Sequence, residues 1–261
     1  TKDARAGGTD PSGFDSHITT IWNKVLLMDQ KIKVAVIGTG ALGKHHARIY
    51  AELAKEGLIE CVGVYDQNIL AAKEVASQHR IPLLQTMEEA TESAQALSVV
   101  TPTITHFSIA SGLLEKGKHL LVEKPMTDNT EQAKRLVELA RDNNCVLQIG
   151  HVERFNPVFT YLNASAKEPK FIETHRLSPY PARSTDIGVV LDLMIHDLDI
   201  VLAFVKSNVV QVDSAGVSVL SKSADIANAR LKFANGCVAN LTVSRISPER
   251  MRKIRVFSGG K

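Results

Sequence analysis

Six consecutive residues near the start of the chain, Gly38-Thr39-Gly40-Ala41-Leu42-Gly43, have the spacing GxGxxG and directly follow the apolar, β-branched run at 33–37 (KVAVI). A strand, a glycine turn and a helix in that order form a binding site for a pyrophosphate. Gly38 permits the tight turn, Gly40 lets the backbone approach a phosphate, and Gly43 lets helix and strand pack closely. The helix N-terminus adds free N–H groups and a positive dipole. Asp66 follows at the end of the next strand, where a carboxylate can accept hydrogen bonds from the adenosine ribose hydroxyls and would repel a 2′-phosphate. Gln67 and Asn68 supply no cation to offset that repulsion, so these residues predict NAD and disfavour NADP.

These groups can meet only if the strands that carry them lie side by side. Apolar runs at 33–37, 60–65, 96–100, 119–122 and 146–149 alternate with helical patterns at 42–54, 71–78, 107–116 and 130–143. That alternation, with short connections, specifies a doubly wound parallel sheet over residues 31–150. Beyond Gly150 longer strands follow one another at 171–177, 209–220, 227–233, 237–244 and 253–257, with one helix at 190–205. Asn235-Gly236 supplies the turn of an antiparallel hairpin. The predicted fold class is therefore α/β: an N-terminal Rossmann doubly wound sheet, then a C-terminal α/β domain at 151–261 with a mostly antiparallel open sheet.

A chain of 261 residues suffices for two modest domains, and 44% apolar with 23% charged residues is ordinary globular composition. No apolar run is long enough to cross a bilayer, so a soluble protein is expected. The net charge of +3 is dispersed, which argues against nucleic acid and suits a small anionic ligand. Cys61, Cys145 and Cys237 lie far apart without CxxC spacing, which predicts neither a disulfide framework nor a metal site and fits a reducing cytoplasm. Residues 1–30 lack periodicity and a secretory pattern. They read either as an extension ahead of a natural start near Met28 or as an arm that docks on a partner subunit.

Three further segments resemble the Gfo/Idh/MocA family of sugar and polyol oxidoreductases. Thr101, Pro102 and His106 look like its TPxxxH loop, Glu123-Lys124-Pro125 its EKP motif, and Asp192 with His196 its DxxxH helix motif. The resemblance covers most of the chain. It implies a dehydrogenase with Thr101, Pro102, His106, Glu123 and Lys124 at the cofactor and a homodimer or homotetramer packed through the open sheet. Lys124 would touch both nicotinamide ribose and substrate hydroxyl, and His196 would take the hydroxyl proton. Asp192, four residues before His196 on one helix face, would orient or stabilise it. Family members continue beyond the last strand, so the chain reads as C-terminally truncated. The runner-up is a nicotinamide-binding regulatory or scaffold protein, which would need only the glycine loop and Asp66.

The segments 150–157 and 191–197 further resemble the family's UDP-N-acetylglucosamine 3-dehydrogenase branch. That resemblance implies a sugar-nucleotide substrate in preference to inositol or a free sugar. His151, Arg154, Asn156, Arg176 and Arg183 are the candidate substrate-binding residues, because a diphosphate calls for basic, bidentate donors.

Overall fold

The computed structural model describes residues 31–180 and 187–259. The expectations placed on residues 1–30 and on Arg183 lie outside the described residues. Strand β1 (Ile32–Ile37) is buried from Val34 onward because it pairs on both edges, with β2 (Ile59–Tyr65) and β3 (Ala96–Val99). Next come β4 (His119–Val122) and β5 (Leu147–Ile149), giving the all-parallel order β2-β1-β3-β4-β5. The helices are α1 (Gly43–Lys55), α2 (Ile69–His79), α3 (Met87–Ser93), α4 (Thr103–Glu115) and α5 (Thr130–Asp142). Strand alternation divides β1 between two cores. Ala35 and Ile37 join the cluster containing Leu113 and Leu136, whereas Val36 joins Ala47 and Val75.

The strand order reverses between β1 and β3, and in such sheets the ligand crevice opens outside the carboxyl ends of the strands there. Four connections meet at that edge: the glycine loop after β1, Val100-Thr101 after β3, Glu123-Lys124 after β4 and Gly150 after β5. Helix α3 is an addition to the sequence reading. Its signal was present as Thr86-x-x-Glu89, and Thr86 Oγ1 caps the helix by accepting from the Glu89 N–H at 3.0 Å.

The second domain begins with a 3₁₀ turn at Val152–Phe155 and α6 (Pro157–Ser165), neither anticipated, with Asn156 as the N-cap of α6. Strand β6 (Pro169–Leu177) leads to a π-helical turn, Val190–Met194, which runs directly into α7 (Ile195–Val205). Strands β7 (Val209–Val217), β8 (Ile226–Phe233), β9 (Val238–Ser244) and β10 (Met251–Ser258) complete a sheet ordered β10-β6-β9-β8-β7. Only β6 and β9 pair in parallel. Ala227, Ala229, Leu231 and Phe233 alternate inward along β8 and share a core with Val201, Phe204 and Val205 of α7. The hairpin expected at Asn235-Gly236 joins β8 to β9, and Gly236 takes φ +83°.

Strand β7 stops three residues short of the predicted end. The N–H groups of Val219, Leu220 and Ser221 all donate to Asp225 Oδ2, at 2.8, 2.7 and 2.9 Å, so the ladder has no donors left there. The fully buried Arg245 completes this knot, donating from Nε to Asp225 Oδ1 and from Nη1 to the carbonyl of Ile187. It thereby ties the β7–β8 loop to the chain entering the π turn.

Candidate active site

The glycine loop shows three different environments at its three glycines. Gly38 sits at φ +93° with the Val100 carbonyl only 2.3 Å from where a Cβ would lie, and a Cβ on Gly43 would lie 1.9 Å from the Gly38 carbonyl oxygen. A Cβ on Gly40 would meet nothing within 4 Å, so the loop is tight on the protein side and open at its middle. No side chain caps α1. An open backbone cradle beneath an uncapped helix N-terminus fits a dinucleotide pyrophosphate. Gly43→Ala is therefore expected to cost roughly 1–3 kcal/mol of stability and to weaken NAD binding by about tenfold or more. Calorimetry and a fluorescence titration check this, and an unchanged Kd would show that the contact can relax.

Asp66 is engaged before any ligand arrives. Its Oδ2 accepts from Thr39 N–H at 2.7 Å and from Thr39 Oγ1 at 3.0 Å, and its Oδ1 accepts from Asn68 N–H at 2.8 Å. The carboxylate braces the glycine loop, and its remaining lone pairs are available to a ribose. Ala41 and Leu42 are exposed on the outer side of the loop.

Thr101 and Pro102 lead into α4, with Pro102 at its N-cap. His106 lies inside, 1% exposed, its Nδ1 2.8 Å from the Pro125 carbonyl and its Nε2 2.9 Å from the Thr101 carbonyl. Both ring nitrogens face backbone oxygens, so His106 joins two crevice loops instead of presenting a polar atom to a ligand. Glu123 is likewise buried, with Oε1 3.1 Å from His46 Nε2. Burial opposes ionisation there, yet the hydrogen bonds from His46 and from the Lys124 N–H hold the carboxyl below its ordinary range.

Lys124 follows at the end of β4, before a cis peptide bond to Pro125. Its Nζ donates to the Asp192 carbonyl at 2.9 Å and to Asp192 Oδ1 at 3.3 Å, which joins the two domains at the crevice. This differs from the sequence reading, in which Asp192 served His196. Asp192 belongs to the π turn, whose i→i+5 bonding widens the helix, so a four-residue spacing no longer stacks two side chains.

No hydrogen bond engages the His196 ring among the described residues, and its Nδ1 is buried without a partner. Burial, reinforced by the positive charges of Lys124 and Arg176, pushes the imidazole down to about 4. His196 is thus a neutral ring beside an ammonium group, able to accept a proton at neutral pH.

The candidate substrate residues are placed differently from a row of free donors. Arg176 is buried and bound in a fork by Asp197, with Nε 3.1 Å from Oδ1 and Nη2 2.7 Å from Oδ1, and its Nη1 donates to Glu153 at 3.4 Å. Arg154 is clamped by Asp199 through Nε and Nη2, although its side chain remains 53% exposed. Asn156 caps α6 through Val158 N–H at 3.0 Å and donates to Glu153. His151 Nδ1 is buried without a hydrogen bond, 3.9 Å from Asp199. The partners Glu153, Asp197 and Asp199 were missed by sequence reasoning. Their only signal was two acidic residues just after His196 and one inside the segment that connects the domains. Among the described residues no group of three His, Cys, Asp or Glu could hold a metal, and no helix is long and apolar enough to cross a membrane.

Residues 32–151 match the model of the GFO_IDH_MocA oxidoreductase family with an NAD-binding Rossmann fold, and residues 149–258 match the GFO/IDH/MocA C-terminal domain. The chain belongs to the GFO/IDH/MocA family. It is accordingly an NAD-dependent oxidoreductase, and the scaffold reading is set aside. A UDP-N-acetylglucosamine 3-dehydrogenase of Acidithiobacillus ferrooxidans is 40% identical over 227 residues, which is 87% of this chain and 71% of that protein. A solved structure of that enzyme from the same organism superposes with a TM-score of 0.80 at 39% identity, covering 87% of this chain and 74% of that one. The scyllo-inositol 2-dehydrogenase (NAD(+)) of Bacillus subtilis is 26% identical over 246 residues, covering 85% of this chain and 69% of that protein.

Proposed function

We propose that this GFO/IDH/MocA member oxidises the 3-hydroxyl of a UDP-N-acetylhexosamine or of its uronic acid, with NAD as the acceptor. The observation that carries the chemistry is the neutral His196 imidazole, without a hydrogen-bond partner among the described residues, beside Lys124 at the mouth of the dinucleotide crevice. The choice of sugar is supported by the 40% identity to a UDP-N-acetylglucosamine 3-dehydrogenase, against 26% to an inositol dehydrogenase. Backbone N–H groups of residues 40–43 would hold the pyrophosphate, since those of Gly38 and Thr39 already donate to the Tyr65 carbonyl and to Asp66, and Asp66 would accept from the adenosine ribose. When bound, NAD supplies the hydride acceptor. Lys124 donates a hydrogen bond to the reacting hydroxyl, with Asp192 holding the ammonium in place. His196 takes the hydroxyl proton while the carbon gives up its hydrogen as hydride, leaving a ketone. Among the arginines, Arg154 uses Nε and Nη2 on Asp199 but, among the described residues, not Nη1, and its exposed side chain can still reach a phosphate.

Steady-state assays test the reading. UDP-N-acetylglucosamine and its uronic acid are expected to reduce NAD far faster than myo-inositol or glucose, and NAD is expected to give a higher kcat/KM than NADP because of Asp66. Turnover of the free polyols alone would move the chain to another branch of the family, and a preference for NADP would contradict the role given to Asp66. We also propose a homodimer or homotetramer built on the outward face of the second sheet. There the rings of Phe171 and Phe257 lie 5.9 Å apart, and Phe257 is exposed. A cytoplasmic setting is supported by three cysteines that are all free thiols.

A further inference from the structure

A chain of buried and partly buried polar groups runs from the dinucleotide helix to the edge of the crevice. The Glu123 carboxylate, 7% exposed, has His46 Nε2 at 3.1 Å from Oε1 and the Lys124 N–H at 3.2 Å from Oε2. It also lies against Gly150, where a Cβ would be 2.7 Å from Oε1, so only a glycine leaves space for it. His46 Nδ1 is 3.2 Å from Ser98 Oγ, which is fully buried and lies 2.7 Å from the Tyr50 hydroxyl.

The proton positions follow from what each group can give. An ionised carboxylate only accepts, so His46 Nε2 donates to Glu123. Among the described residues Tyr50 has no other hydrogen-bond partner, so its hydroxyl donates to Ser98. Ser98 then gives its own proton to His46 Nδ1. In this direction each donor is used once and each buried acceptor is filled, and a fully satisfied buried network is rigid. The opposite direction leaves the buried phenol proton without an acceptor. Burial also raises the Tyr50 phenol, so that it keeps its proton, while Glu123 stays charged.

We propose that His46 is a positioning residue, the centre of a one-way relay from Tyr50 through Ser98 to Glu123 that locks the Lys124 backbone to the dinucleotide helix. His46 and Tyr50 lie on α1, Ser98 on β3, Glu123 directly after β4 and Gly150 directly after β5. The relay therefore makes one rigid unit of the element that grips the cofactor and the residue that faces the substrate. The consequence for turnover rests on the role given to Lys124 above, whereas the relay itself does not.

Two measurements on the intact chain test it. In the protein labelled with ¹⁵N-histidine, His46 is expected as the Nε2–H tautomer, with Nδ1 showing the shift of an unprotonated acceptor. A protonated Nδ1 would overturn the relay whatever the substrate proves to be. In kinetics with NAD and UDP-N-acetylglucosamine, His46→Leu is expected to lower kcat on the order of tenfold to a hundredfold, with the Kd for NAD held within about twofold. His46→Gln, whose amide can donate to Glu123 and accept from Ser98, is expected to recover most of that loss. A purely structural role would shift melting temperature and NAD binding together and show no selective recovery by glutamine. If His46→Leu fails to fold, Ser98→Ala serves instead, with loss of the single tautomer as its readout. A folded His46→Leu protein with wild-type kcat would overturn the positioning role. Absence of turnover on any nucleotide sugar would sink the substrate reading alone, since the tautomer still decides the relay.

Discussion

Replacing His196 by alanine is expected to lower kcat by roughly two to four orders of magnitude, the usual contribution of a positioned general base. NAD affinity is expected to stay nearly unchanged, because the ring lies across the domain junction from the glycine loop and its Nδ1 has no hydrogen-bond partner among the described residues. The pH profile supplies an independent check. Burial and the charges of Lys124 and Arg176 hold the ring at about 4, against an ordinary value of 6.5. The acid limb of kcat/KM is thus expected well below pH 6.5, with activity flat through pH 6. The same depression bears on stability. Since the unfolded chain takes the proton first, His196 contributes stability that is complete above pH 6.5 and declines as pH falls toward 4, by up to about 3 kcal/mol in all. An acid limb centred at 6.5, or full activity in the alanine variant, would remove His196 from the proton transfer.

Lys124→Ala is expected to reduce kcat by roughly 10²–10³, the scale seen when one preorganised donor to a developing oxyanion is removed. Its effect should extend beyond chemistry. The ammonium is the group that joins β4 to the π turn, through the Asp192 carbonyl at 2.9 Å and its carboxylate at 3.3 Å. Without it Asp192 loses its cationic partner in a half-buried setting, so KM for the sugar should rise alongside the fall in kcat. Lys124→Arg keeps the charge but not the compact ammonium, and it is expected to restore the domain contact better than it restores turnover. The KM-against-kcat comparison in the two variants separates these roles. Wild-type kcat and KM in Lys124→Ala would show that Lys124 acts on neither ligand nor substrate.

Much of this molecule is determined by local sequence. Gly38, Gly40 and Gly43 mark their loop by spacing alone, but the tertiary structure decides which is tight and which is open, because Gly38 is crowded by the Val100 carbonyl just after β3, Gly43 by Gly38, and Gly40 by nothing. Hydrophobic periodicity likewise determines the five parallel strands, because burial on both faces leaves little freedom of residue type, and Asn235-Gly236 determines the β8–β9 hairpin. The identity of the partners is another matter. Arg176 reads in the sequence as a free cation, yet β6 carries it inward onto Asp197 of α7, and strand and helix must first be docked to show that. Asp192 and His196 have ideal helical spacing, and only the π turn, read together with the approach of Lys124 from the other domain, shows that the aspartate serves the lysine. His46, Ser98 and Glu123 are separated by 52 and 77 positions from one another's side chains, counted from His46. Spacing along the chain carries no information about such pairs. Side-chain type and short-range geometry determine what each residue can do, but the electrostatic environment that makes His196 neutral is a sum over groups from both domains, and only their packing decides it.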